Sequence, residues 1–123
     1  MTHVMDTRNQ NRAGLGWLGQ AVSGVLLLIL LGLHMIAHHF VVKGGLRDYQ
    51  EVMSYIGNPV IAAIELIFLV VVSYHAMLGL RSVLLDLGLG KSQEKWVTRS
   101  VTALGIIMVV YGVWLMSTLL SRV

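Results

Sequence analysis

A chain of 123 residues with 56% hydrophobic residues, 12% charged residues and one proline is too apolar for a soluble domain, where about a quarter of residues carry charge. The lack of cysteine excludes disulfides, thiolate metal sites and thiol nucleophiles. The formal net charge of +3 is spread over short connections, not gathered on one solvated face, so it does not mark a nucleic-acid surface. Composition therefore places the chain in a membrane, and its fold class is an all-α membrane protein.

Ala13 to Val42 and Ser100 to Ser121 contain no Asp, Glu, Lys or Arg, and Val60 to Leu80 is interrupted only by Glu65 and His75. Each stretch is long enough to cross a hydrocarbon core that needs about 20 helical residues. Three transmembrane helices are predicted, at about 15–42, 59–87 and 97–120, in one domain covering 1–123. The first is not expected to be a signal peptide, because its apolar run exceeds the usual 7 to 15 residues and no small-residue cleavage site follows. Six Lys or Arg lie in the N-terminal tail and second connection (Arg8, Arg12, Arg81, Lys91, Lys95, Arg99), against three elsewhere (Lys43, Arg47, Arg122). The positive-inside rule then puts the N-terminus in the cytoplasm and the C-terminus outside.

Taken in order, Met1 to Arg12 reads as a polar tail holding His3. The first helix starts near Leu15 or Trp17, an indole suited to the membrane interface, and stops at Lys43-Gly44-Gly45, a cation followed by glycines that can adopt left-handed dihedrals. On a 3.6-residue helix Gln20, Ser23, Leu27, His34 and His38 fall within about 40° of one line. Such a polar stripe has three readings: hydrogen bonds to another helix, chelation of zinc or copper by His34 and His38 four residues apart, or ligation of a haem iron by one of them. His39 lies about a hundred degrees round from His38 and reads as a surface group.

The connection that follows carries Leu46, Tyr49, Met53 and Ile56 at helical spacing, which predicts a short amphipathic helix over 46–56 on the outer surface. Gly57-Asn58-Pro59 ends it and opens the second span, with proline in a first turn that needs no N–H. Glu65 sits about one and a half turns inside, where a carboxylate is costly; a hydrogen-bonded acid, a proton relay and a quinone contact are its candidate roles. His75, deep in the same run, must be neutral and bonded or bound to metal. Gly79 clears space one turn away, Arg81 is placed to meet haem propionates, and Asp86 lies nearly on the face of His75. The third span has no histidine or charge, and Gly105 and Gly112 share a face that allows close packing.

The arrangement Gln20-Ala21-Val22-Ser23-Gly24, His34, and His75-Ala76-Met77-Leu78-Gly79-Leu80-Arg81 followed by Asp86 resembles the membrane-anchor subunits of succinate dehydrogenases and fumarate reductases. The likeness runs from about Trp17 to Gly88. It implies a three-span anchor forming half of a haem-binding helix bundle that a second anchor subunit completes, in the cytoplasmic membrane of a prokaryote. It also implies haem b shared with that partner, iron–sulfur and flavoprotein subunits in the complex, electron transfer to or from membrane quinone, and a place in the tricarboxylic acid cycle. His75 looks like the ligand of the haem nearer the dehydrogenase and His34 like a ligand of a second, outer haem, with His38 as its substitute. Gln20, Ser23, Asp86 and Glu65 are candidate quinone contacts by position. The chain would not itself carry the succinate or fumarate chemistry, since no flavin or nucleotide motif is present.

From helix midpoints, His34 and His75 differ by about 10 Å in depth. Two imidazoles on one iron need their nitrogens about 4 Å apart, so two irons are expected, each lacking a ligand that a second chain supplies. Two family features are missing: Ala21 stands where anchors often carry arginine, and Leu87 where some carry tyrosine. The competing expectation is a small metal-transport or metal-chaperone protein using His34, His38 and Glu65.

Overall fold

The computed structural model describes residues 2–44 and 47–123, and the side chains of these except for 2–6 and 8. The chain forms helix α1 (Thr2–Met35), a π-helical turn (Ile36–Phe40), a short helix α2 (Tyr49–Ile56), and two long helices, α3 (Pro59–Leu85) and α4 (Lys91–Leu120). Three of the helices are long and apolar enough to cross a membrane. Of the expected features, Gly45, Leu46 and the side chains of His3 and Arg8 lie outside the described residues.

Helix α1 continues through the stretch expected to be a tail. Hydropathy marks where a helix enters lipid, but the backbone ends only at a breaker, and none stands between Thr2 and the apolar run. Its 34 residues extend about 51 Å, beyond the roughly 30 Å of a hydrocarbon core. At its other end the α-helix stops at Met35 rather than near Val42. The π-helical turn follows, closed by Val41 N–H donating to the Ile36 carbonyl at 3.1 Å, and Gly44 beyond it takes φ +97°, which favours glycine.

Helix α2 is fixed at its start by Asp48, which accepts from Glu51 N–H at 2.8 Å while the Glu51 carboxylate accepts from Asp48 N–H at 3.1 Å. This capping box satisfies two donors that a helix start otherwise leaves open. Asn58 caps α3 by accepting from Val60 N–H at 2.9 Å, with Pro59 in the first turn. Helix α4 begins at Lys91, earlier than the apolar run, because Gln93 accepts from Gly90 N–H at 3.0 Å. The preceding turn passes through Gly88 at φ +73°, a conformation glycine reaches without a Cβ clash.

Helix α3 stands between α1 and α4 and packs on both, whereas among the described residues α1 and α4 do not approach each other. Gly105 and Gly112 of α4 do share a face toward α3, where a Cβ would meet Met77 and Leu69. Helix α2 lies across one end of α3 and α4, and Gly57 there adjoins Val123. Among the described residues only Met53, Ala62, Val101, Ser23 and Ser73 are buried. A row of three helices with so little interior turns its apolar surface outward to lipid or to another chain.

Candidate functional site: two histidine nodes between α1 and α3

The polar stripe of α1 faces α3 along an antiparallel register. Gln20 lies opposite Gly79, Ser23 and Gly24 opposite His75, and His34 opposite Glu65. The periodicity that gathers these side chains on one line is what turns them all into a single interface.

In the first node Ser23 Oγ donates to the Gln20 carbonyl at 3.1 Å and lies 2.9 Å from His75 Nδ1. With the hydroxyl hydrogen assigned to the Gln20 carbonyl, the hydroxyl accepts from His75 Nδ1–H, and a neutral imidazole in that tautomer holds its lone pair on Nε2. That Nε2 has no partner among the described residues and is not fully buried. Gly24 makes the approach possible: a Cβ there would stand 3.3 Å from His75 Cε1. The ring is fixed in rotation and in tautomer, as a metal-ligating imidazole is.

The second node lies ten residues along α3 from the first, from 75 back to 65, which is about 15 Å of helix. His34 Nδ1 is 3.1 Å from both Oε1 and Oε2 of Glu65, and His38 Nε2 is 3.4 Å from Oε1. The two imidazoles are stacked at a tilt with centroids 4.4 Å apart, and His34 also touches the Phe68 ring at 5.2 Å. Tyr55 of α2 meets the His38 ring edge-on at 4.7 Å. Arg47 lies 4.2 Å over the Tyr55 ring and donates from Nη2 to the Ala37 carbonyl at 3.0 Å, satisfying an acceptor of the π-helical turn. Burial holds the Tyr55 hydroxyl above its ordinary pKa of 10.0, and the nearby Glu65 charge pushes it the same way, against the opposing pull of Arg47. One ligand atom each from His34, His38 and Glu65 lies within 4.8 Å of the others, close enough to share a metal ion.

Residues 7–120 match the family model of the succinate dehydrogenase/fumarate reductase transmembrane subunit. The chain belongs to this family. It is 32% identical over 102 residues to the succinate dehydrogenase hydrophobic membrane anchor subunit of Archaeoglobus fulgidus, covering 83% of this chain and 86% of the relative. It is 25% identical over 109 residues to the subunit of the same name from Thermoplasma acidophilum, covering 89% of each. No solved structure matches it. The chain is thus a membrane-anchor subunit of the succinate dehydrogenase/fumarate reductase type, and the metal-transport reading is not favoured.

The remaining anchor residues named from sequence fall outside the two nodes or serve them indirectly. Gly79 gives its space to Gln20, whose Nε2 would stand 3.2 Å from a Cβ there. Arg81 donates from Nε to Thr98 Oγ1 on α4 at 3.0 Å, so it sits toward α4 while His75 faces α1. Asp86 is the C-cap of α3, eleven residues and about 16 Å of helix from His75. The structure thus brings together His75, Ser23, Gln20 and Gly79, and separately His34, His38 and Glu65. Arg81 and Asp86 join neither group.

Sequence reasoning gave no specific role to Gly24, Arg47 or Tyr55. Gly24 carried a usable signal, a small residue beside the stripe serine. Arg47 and Tyr55 did not, because their partners lie across a connection whose path depends on the π-helical turn.

Proposed function

We propose that this anchor binds haem b at His75 and at His34 and carries electrons between the iron–sulfur subunit and membrane quinone. The supporting observation is the His75 node: Nδ1 held by Ser23, Nε2 unpartnered among the described residues and not fully buried, and Gly24 clearing the ring. Bound haem supplies a one-electron couple whose potential the axial ligand and its hydrogen bonds set.

The chain's own residues prepare that chemistry. Ser23 fixes the tautomer of His75, so the nitrogen that ligates iron is Nε2. The separation of about 15 Å along α3 is larger than the 10 Å expected from helix midpoints, which supports the reading of His34 and His75 as ligands of different irons. A haem held at either site would take its further ligand from another chain, which fits a second anchor subunit packing on the outward surface of α1 and α3. Flavoprotein and iron–sulfur subunits complete the complex on the cytoplasmic side, with the N-terminus of α1 facing them in a prokaryotic inner membrane.

Of the candidate quinone contacts, Ser23 and Glu65 are committed to histidines, and Asp86 stands at the end of α3, about 16 Å of helix from His75. Gln20 is committed to neither histidine, and its side-chain N–H is the group that would donate to a quinone carbonyl, so a quinone contact from this chain falls to Gln20.

The test is the reduced-minus-oxidised spectrum and haem count of the purified complex. Two b-type haems are expected, one lost in His75→Ala and the other in His34→Ala, with all subunits retained. An unchanged spectrum in His75→Ala overturns the reading, as does a haem-free complex that takes up zinc at His34 and His38.

A further inference from the structure

Glu65 is only 15% exposed, in a span where an acid without partners is costly. Its surroundings account for it element by element: His34 from α1, His38 from the π-helical turn and Tyr55 from α2, with Arg47 beyond the Tyr55 ring. The two imidazoles are not equivalent. His38 turns its Nε2 toward Oε1 at 3.4 Å, whereas His34 presents Nδ1 to both oxygens at 3.1 Å and leaves Nε2 without a partner among the described residues and not buried.

We propose that Glu65 is the positioning residue of the outer haem site, accepting the Nδ1 hydrogen of His34 so that Nε2 faces iron. This rests on the reading of His34 as a haem ligand, and it selects His34 over His38 for that role. An imidazole can ligate through Nε2 only if its remaining hydrogen is on Nδ1, and an acceptor straddling that hydrogen holds both tautomer and ring angle. A carboxylate acceptor also makes the imidazole a stronger donor and favours the more positively charged, oxidised iron. His75 has the same arrangement with a neutral hydroxyl as acceptor, so the outer site differs from the inner one in charge and not in design.

The experiment is a redox titration of both haems in the assembled complex carrying Glu65→Gln, Glu65→Asp or Glu65→Leu, beside His34→Ala. Glu65→Gln keeps an oxygen acceptor and removes the charge. It is expected to retain the outer haem and shift its equilibrium about tenfold toward the reduced form, 59 mV for one electron, leaving the inner haem unmoved. Glu65→Leu is expected to lower outer haem occupancy at least tenfold, and Glu65→Asp to restore it at least in part. Loss of the outer haem in Gln and Leu with retention in Asp also supports the proposal. An unshifted outer potential in Glu65→Gln overturns it, and so does loss of both haems or of the whole complex in all three variants. Where His34→Ala keeps both haems, the reading of His34 fails instead, so the two failures are distinguishable.

Discussion

Midway along the α1–α3 interface His75 stands against a glycine and a hydroxyl; toward the α2 end His34 stands against a carboxyl group, a second imidazole and, through it, a phenol. The first environment works by shape, with one neutral hydrogen bond and a missing side chain. The second works by charge, with four polar groups drawn from α1, the π-helical turn, α2 and α3. Two rings with the same unpartnered Nε2 are therefore held by different physics, and each node has its own way of failing. Volume should break the first and charge the second.

The largest effect is expected from volume at the inner node. Gly24→Val places a Cβ 3.3 Å from His75 Cε1 and adds two methyl groups beyond it, at about 1–3 kcal/mol for overpacking a close contact. The ring must leave Ser23, and on the proposed haem reading the inner haem should be absent from the spectrum while the outer one stays. Gly32→Val is the matched control, since nothing lies within 4 Å of a Cβ there, and it should leave both haems intact. Loss of the outer haem alone in Gly24→Val would overturn the division between the nodes.

Removing the hydroxyl is milder. Ser23→Ala leaves the His75 Nδ1–H without its acceptor, which costs about 1–3 kcal/mol and should weaken haem binding at that site by about 10- to 100-fold. Ser23→Thr keeps the oxygen and should recover most of the loss. Competition of the complex with a haem acceptor, read separately for the two α-bands, measures both.

The legibility of the two nodes differs for the same physical reason. Helical periodicity put Gln20, Ser23, His34 and His38 on one line, and that line is the interface observed. Pairing across the interface was less legible, because an antiparallel register depends on where the connection turns. The π-helical turn at Ile36–Phe40 is the clearest case: nothing in Ile36-Ala37-His38-His39-Phe40 announces it, and its stability comes partly from Arg47, seven residues beyond. Helix ends were misplaced wherever hydropathy and hydrogen bonding part company. Thr2–Leu15 and Lys91–Trp96 are helical because their backbone is uninterrupted and, at Gly90, capped, not because they are apolar. Gly79 shows the limit of reading one helix alone, since its open space is taken by Gln20 from the other.

At the outer node a smaller effect is expected from Arg47→Ala. It deletes the bond to the Ala37 carbonyl and the cation over Tyr55, together about 1–2 kcal/mol at a half-exposed position. The π-helical turn should loosen first, seen as roughly tenfold faster amide exchange at Val41, whose N–H closes the turn on Ile36; 1.4 kcal/mol corresponds to that factor. Exchange around Ser23 and His75 should not change. Equal acceleration at both nodes would show that the interface opens as one unit.

The smallest effect, and the most direct probe of charge at the outer node, is the titration of Tyr55. Burial and the Glu65 carboxyl both disfavour the phenolate, outweighing Arg47, so the folded pKa lies above the ordinary 10.0. A raised pKa means that the folded chain binds the proton more tightly than the unfolded one. The stability this contributes is complete below about pH 10 and is lost as pH rises from there through the folded value. Ultraviolet difference titration of the complex should therefore show a tyrosine signal above pH 10 that disappears in Tyr55→Phe. Glu65→Gln should move that signal down toward 10 by removing the second cause, while Arg47→Ala should move it further up by removing the opposing charge. Opposite shifts from those two variants are the signature of a node held by charge. A signal that neither variant moves would leave burial as the sole cause and put Tyr55 outside the electrostatic reach of Glu65.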